Sequence, residues 1–206
     1  GMQDVEGLLA RLKVLMHTPI KEVVDKRIDG FGKVNDKFGE LCFCVLTANS
    51  SAGMCIKLQK NLQNAFHTSN KEELRARLKK YGYRFPNRAE YICYNRGYRD
   101  IDKILKNFSD GRMAREWFVE NIKGFGYKEA SHFLRNIGYK NLAILDRHIL
   151  RVMKRYKLME EVPKILNKRE YIGIEKKLEE VADKLGITLS KLDLYLWYME
   201  TGKILK

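Results

Sequence analysis

Lys128 and Asp146 are the two residues of this chain whose types and settings are suited to covalent chemistry. Lys128 follows the run Ile122-Lys123-Gly124-Phe125-Gly126-Tyr127. A helix should end before that run, the two glycines make a tight turn, and a second helix begin at once. Such a turn aims bare backbone N–H groups outward, which suits a phosphate. Lys128 then falls on the first turn of the second helix, beside whatever phosphate has docked. A lysine amine in its neutral form attacks electrophilic carbon. A carboxylate held rigid at Asp146 offsets positive charge that develops nearby. A lysine beside a phosphate, with a carboxylate from a later segment, is equipment for chemistry on a nucleotide.

Each feature also has a plain structural explanation. A Gly-x-Gly turn can simply join two antiparallel helices. One lysine among 40 Lys+Arg residues can be a solvated charge. Asp146 suits the N-cap of a helix running to Tyr156, and that role is compatible with a chemical one. His148 and Arg151 follow on one helical face, as phosphate contacts or as surface residues. The longer pattern, with Ala130 small where two helices must cross, favours a phosphate-binding hairpin.

The elements that must position these groups are helical. The chain has only three prolines, and alternating period-two runs are scarce. Val5, Leu8, Leu9, Leu12 and Leu15 form a one-sided stripe. Phe38 to Phe66 reads as two buried helices separated by Thr47-Ala48-Asn49-Ser50-Ser51, with Ser50 or Ser51 as N-cap. Lys71 to Tyr81 is a short charged helix, and Asn87 is expected to cap a helix through Tyr98. Ile101 to Phe108, Gly111 to Ile122 and Lys128 to Ile137 follow. Gly138 to Asn141 links to Leu142-Ala143-Ile144-Leu145. Lys168 to Leu185 is an amphipathic helix stopped by Gly186, and Thr188 or Ser190 opens a last helix to Gly202. The fold class is therefore all-α. Two helical lobes are expected around a cleft, one formed by residues 30–138 and the other by 2–29 plus 141–206.

Lys+Arg outnumber Asp+Glu by 40 to 26 in 206 residues, a net charge of +14. The excess is spread along the chain, so a folded basic surface facing a polyanion is expected. No apolar run is long enough to span a bilayer. Cys42, Cys44, Cys55 and Cys93 match no metal-ligand spacing and read as reduced structural residues of a cytoplasmic protein. Gly1 ahead of Met2 reads as a tag remnant.

Ile122 to Ile137 together with Leu145-Asp146-Arg147-His148-Ile149-Leu150-Arg151-Val152 resembles the helix-hairpin-helix, Gly/Pro-rich loop, Asp superfamily of DNA base-excision glycosylases. Val45 to Ala52 and Arg88-Ala89-Glu90-Tyr91-Ile92 resemble further segments of that superfamily, so the likeness covers most of Gly39 to Tyr156. Within it, a lysine at position 128 marks the bifunctional glycosylase/lyase branch. The wording Gly-Tyr-Lys-Glu-Ala-Ser-His-Phe-Leu-Arg-Asn and the ending Glu200 to Lys206 are most similar to the second, archaeal-type family of 8-oxoguanine DNA glycosylases. Lys123 departs from the pattern, since many relatives have proline there.

The resemblance implies excision of 8-oxoguanine from double-stranded DNA through a lysine Schiff base, then strand nicking by β-elimination. Lys128 would be the nucleophile at the sugar C1′, and Asp146 would stabilise the cationic sugar and assist nucleophile formation. Gly124 and Gly126 would hold a phosphate, and Asn49 would fill the space of the flipped nucleotide. Trp197 would stack on the base and Lys206 would read it, although on composition alone Trp197 is a core aromatic among Leu192, Leu194, Leu196 and Tyr198. Carbonyls of Glu120, Ile122 and Phe125 could ligate a monovalent cation. No cofactor is implied, and a monomer is expected. The rival expectations are a glycosylase for another damaged or mismatched base and a non-catalytic helix-hairpin-helix DNA-binding protein.

Overall fold

The computed structural model describes residues 3–206; Gly1 and Met2, the expected tag remnant, lie outside the described residues. The chain forms α1 (Val5–Leu15), α2 (Ile20–Phe31), α3 (Lys37–Thr47), α4 (Ala52–Thr68), α5 (Lys71–Lys80) and α6 (Ala89–Asn95). It continues with α7 (Ile101–Leu105), α8 (Gly111–Asn121), α9 (Tyr127–Asn136), α10 (Arg147–Arg155), α11 (Lys168–Leu185) and α12 (Leu189–Thr201). No strand occurs among the described residues, so the all-α expectation holds. No helix is long and apolar enough to cross a membrane among those residues.

Short polar side chains start most of these helices by accepting an otherwise orphaned backbone N–H. Asp4, Asp36, Ser51, Asn70, Asp110, Asn167 and Thr188 all do so. Gly186 and Gly202 close α11 and α12 in the left-handed conformation, as their positions after the last periodic residue suggest.

Two elements differ from the sequence reading. Residues 20–31 form α2, whose buried stripe is only Val24, Ile28 and Phe31, too narrow to stand out from its charged neighbours. Asn87 does not cap a helix; it lies inside a 3-10 turn, Pro86–Arg88, that leads into α6. Proline at the first position of that turn supplies the fixed φ and spares the missing N–H, so no side-chain cap is needed.

The chain divides into two compact units. One is Val34–Ile137. Its centre is α3, buried continuously from Phe38 to Leu46, as a helix apolar on all sides must be. Helices α4, α6 and α9 pack on α3, and α8 packs on α9. Three cysteines, Cys42, Cys44 and Cys55, are buried in this unit, and all four cysteines are free. Burial pushes the Cys55 thiol up to about 11 and raises the Cys42 thiol as well, so both stay protonated and inert.

The other unit is discontinuous, comprising Gly1–Lys33 and Gly138–Lys206. Helix α12 packs on α10, α2 and α11, while α1 packs on α11. Lys191 of α12 pairs with Asp25 of α2 at 3.0 Å. Gly138 has φ +113, and a Cβ built there would lie 3.3 Å from the Gly32 Cα. Two backbones therefore meet where the chain re-enters this unit, and position 138 admits little besides glycine.

Candidate active site

The glycine hairpin is built from its ends inward. Helix α8 stops at Asn121, and Ile122 turns extended. Gly124 takes φ +91, and a Cβ there would approach Tyr91 to 3.1 Å and Val45 to 3.3 Å. Conformation and space thus both require glycine at 124. Asn95, fully buried, grips Lys123 from both sides of its backbone: Nδ2 donates to the Lys123 carbonyl at 3.0 Å, and Oδ1 accepts the Lys123 N–H at 2.9 Å. Lys123 rests its ammonium 4.1 Å from the centre of the Tyr94 ring. The Ile122 carbonyl accepts the Phe125 N–H at 3.3 Å, and a carbonyl with two lone pairs retains capacity for a cation.

Lys128 occupies the first turn of α9. Its Nζ lies 3.3 Å from Oε2 of Glu129. Neighbours in a helix do not normally face each other. They meet here because Glu129 folds back over the helix start, where its Oε1 accepts the Gly126 N–H at 2.9 Å. One carboxylate therefore holds both the expected phosphate-binding amide and the expected nucleophile. The sequence reading passed over Glu129, although Gly126-Tyr127-Lys128-Glu129 has the four-residue spacing of a capping box, with glycine as the cap.

The rest of α9 is anchored by polar groups of low exposure. Tyr127 donates its hydroxyl to the Glu116 carboxylate at 2.6 and 2.7 Å, and the Arg115 guanidinium lies 5.3 Å from the Tyr127 ring centre. Arg115, buried, donates to the Ser131 hydroxyl at 3.2 Å. At the far end, the Asn136 amide donates to Glu40 at 3.1 Å and accepts from Arg135 at 2.9 Å, while Gln59 donates to Glu40 at 3.2 Å. Buried polar groups bonded in this way fix an orientation rather than merely filling space.

Asn49 projects from the exposed turn between α3 and α4 with φ 54, a conformation asparagine tolerates better than most residues. The turn is clamped from behind. Arg88 donates to the carbonyls of Ala48 and Leu46 at 2.5 and 3.3 Å, and the Tyr83 hydroxyl donates to Leu46 at 2.6 Å. Burial pushes the Tyr83 phenol up to about 12, so it remains a donor.

In the discontinuous unit, Leu142, Ala143, Ile144 and Leu145 run buried into Asp146. Helix α11 holds this segment: Glu175 accepts the Ala143 N–H at 2.8 Å, and the Tyr171 hydroxyl donates to the Ala143 carbonyl at 2.6 Å while accepting the Leu145 N–H at 3.1 Å. Asp146 caps α10, its Oδ1 accepting the Ile149 N–H at 2.9 Å. Its Oδ2 accepts the indole N–H of Trp197 at 2.6 Å. Trp197 meets the His148 ring edge-to-face, with centroids 4.7 Å apart and planes inclined at 68°. Asp146, His148 and Trp197 are thus brought together. Arg151 stands exposed on α10, and Lys206 is half-buried beyond the end of α12.

The family model described as 8-oxoguanine DNA glycosylase matches residues 24–187. An 8-oxoguanine DNA glycosylase/AP lyase of Methanocaldococcus jannaschii is 46% identical, aligned over 97% of this chain and 99% of its own length. A protein of the same name from Korarchaeum cryptofilum is 44% identical over 100% of both chains. The crystal structure of the Methanocaldococcus jannaschii 8-oxoguanine glycosylase/lyase with a 15mer DNA containing 8-oxoguanine superposes with a TM-score of 0.94 at 45% identity, covering 97% of this chain and 99% of that one.

Proposed function

The chain belongs to the 8-oxoguanine DNA glycosylase family, and we propose that it excises 8-oxoguanine from DNA with Lys128 as nucleophile and then nicks the strand as an AP lyase. The observation that carries this reading is the setting of Lys128. It stands on the first turn of α9, directly after a hairpin whose Gly124 admits no side chain. Neutral Lys128 attacks C1′ of the damaged nucleotide, the C1′–N9 bond breaks, and the base leaves with its bonding electrons and a proton. Loss of the ring oxygen from C1′ converts the amine adduct to an imine. That imine acidifies the C2′ proton, and its removal expels the 3′ phosphate by β-elimination. Asp146 assists formation of the neutral Lys128 nucleophile, which attack on an abasic sugar also requires, and offsets the positive charge on the sugar as the base departs.

Gly124 and Gly126 supply backbone to a phosphate, with the Glu129 carboxylate yielding the Gly126 N–H when the phosphate arrives. His148 and Arg151 contribute further cationic or hydrogen-bonding contacts to the DNA, and Asn49 enters the duplex where the nucleotide leaves the stack. Trp197 and Lys206 face the oxidised base, and the carbonyls of Glu120, Ile122 and Phe125 are suited to a monovalent cation. With a net charge of +14, binding should weaken steeply as salt rises.

Borohydride trapping on a panel of lesion-bearing duplexes tests the reading. The wild-type chain should form a covalent adduct on 8-oxoguanine and abasic DNA, and Lys128→Gln should form none while still binding. Full trapping by that variant would remove Lys128 from the role, and adducts confined to another lesion would replace 8-oxoguanine as the substrate.

A further inference from the structure

Asp146 has two carboxylate oxygens, and each has a partner. The first is committed to the helix start, accepting the Ile149 N–H at 2.9 Å. The second accepts the Trp197 indole N–H at 2.6 Å, across 51 residues of sequence. The backbone bond alone leaves the carboxylate free to rotate about its Cβ–Cγ bond. A second donor from a different helix fixes the carboxylate plane. The indole is itself held, because the His148 ring stands edge-on to it and the neighbouring residues Leu194, Tyr195 and Leu196 anchor α12 in the core.

From this geometry we propose that Trp197 is a positioning residue for Asp146: its indole N–H orients the carboxylate that assists the Lys128 nucleophile and stabilises the sugar cation, apart from any contact its ring makes with the base. The proposal rests on the reading that Asp146 acts in nucleophile formation and at the sugar. A hydrogen bond to a charged acceptor is about twice as strong as a neutral one, and its loss leaves a carboxylate that can turn away from the reacting centre. One side chain would then serve both base reading and the chemistry at the sugar, and the two duties can be separated by removing the base.

An abasic duplex makes that separation, because it offers no base to stack upon. Trp197→Phe keeps the aromatic face and deletes the N–H. On abasic DNA, single-turnover nicking and borohydride trapping by Trp197→Phe should slow by roughly ten- to a hundredfold. The Kd for the same duplex should stay within about twofold, since neither contact is to a phosphate. In an Asp146→Asn background the substitution should add little, because the two act as one unit. Wild-type nicking of abasic DNA by Trp197→Phe would overturn the proposal and confine Trp197 to the base. An equal slowing in the Asp146→Asn background would also overturn it, since the effect would then bypass Asp146. Unimpaired Asp146→Asn would instead sink the parent reading, and that arm is scored separately.

A second measurement does not depend on the folding of a Trp197 variant. The chain has 2 tryptophans, so Trp117→Phe assigns the Trp197 indole N–H resonance. That proton should move upfield on Asp146→Asn, and an unmoved resonance would contradict the bond.

Discussion

The starts of α9 and α10 solve one problem in opposite ways. Each helix has orphaned N–H groups that need an acceptor, and each carries a residue proposed for the chemistry. At α10 the two duties fall on Asp146, which both caps the helix and offers a carboxylate. At α9 they are divided: Glu129 reaches back to the Gly126 N–H, and Lys128 carries the amine. Where duties are divided, the chemical residue can be replaced without loosening the helix. Where they are fused, substitution disturbs both.

The largest effect should come from the divided side. Lys128→Gln should lose all covalent trapping while its melting temperature stays within a degree or two of wild type, because no cap is removed. A large drop in melting temperature would break the contrast. On the fused side, Asp146→Ala should lose activity and also about 1 kcal/mol of stability, the usual cost of a deleted N-cap. Asp146→Asn should lose activity with little stability cost, since asparagine caps as well as aspartate. Denaturant melts of this pair, set against nicking rates, separate the two duties.

Glu129→Ala tests the division from its structural side. Removing the acceptor should destabilise α9 by a fraction of a kcal/mol to about 1 kcal/mol. It should retain Lys128-dependent trapping, at a changed rate, because the amine remains. A stability loss with trapping abolished would mean that Glu129 shares the chemistry.

Asp36 supplies the smallest effect and serves as a control, since it is a cap with no proposed chemistry. Burial pushes its carboxyl up, but hydrogen bonds from Gln63, the Gly39 N–H and His67 outweigh that and hold it below the ordinary carboxylate range. Its contribution is therefore present above the unfolded-state value and is lost as pH falls through the lower native one. Acid melts of wild type and Asp36→Asn should differ near neutral pH and converge at low pH. A constant gap would show that the charge plays no part.

Much of the helical order was legible, because burial writes itself into periodicity. Leu8, Leu9 and Leu12 lie buried on α1, and Asn167 and Gly186 bracket α11 where the pattern stops. Local signals also located the hairpin and the Asp146 cap, which depend on residues within a few positions. The bond from Trp197 to Asp146 had no such signal. Nothing in the run Leu192 to Tyr198 distinguishes an indole that faces a carboxylate from one that fills a core. Arg88 was equally silent, since its grip on Ala48 and Leu46 is a choice among backbone carbonyls that sequence does not mark. Glu129 was different: its three-residue spacing from Gly126 is that of a capping box, a signal written locally in the sequence.

The discontinuous unit has a consequence for synthesis. Helix α2 packs on α12, and Asp25 pairs with Lys191, so α2 lacks this partner until α12 has emerged. At roughly 5–20 residues per second, ribosomal elongation from Lys33 to α12 takes on the order of ten to thirty seconds. The continuous unit, Val34–Ile137, can close during that interval. A nascent chain halted before α12 would therefore display the hairpin and Lys128 on a folded unit while α2 still lacks the helix on which it packs.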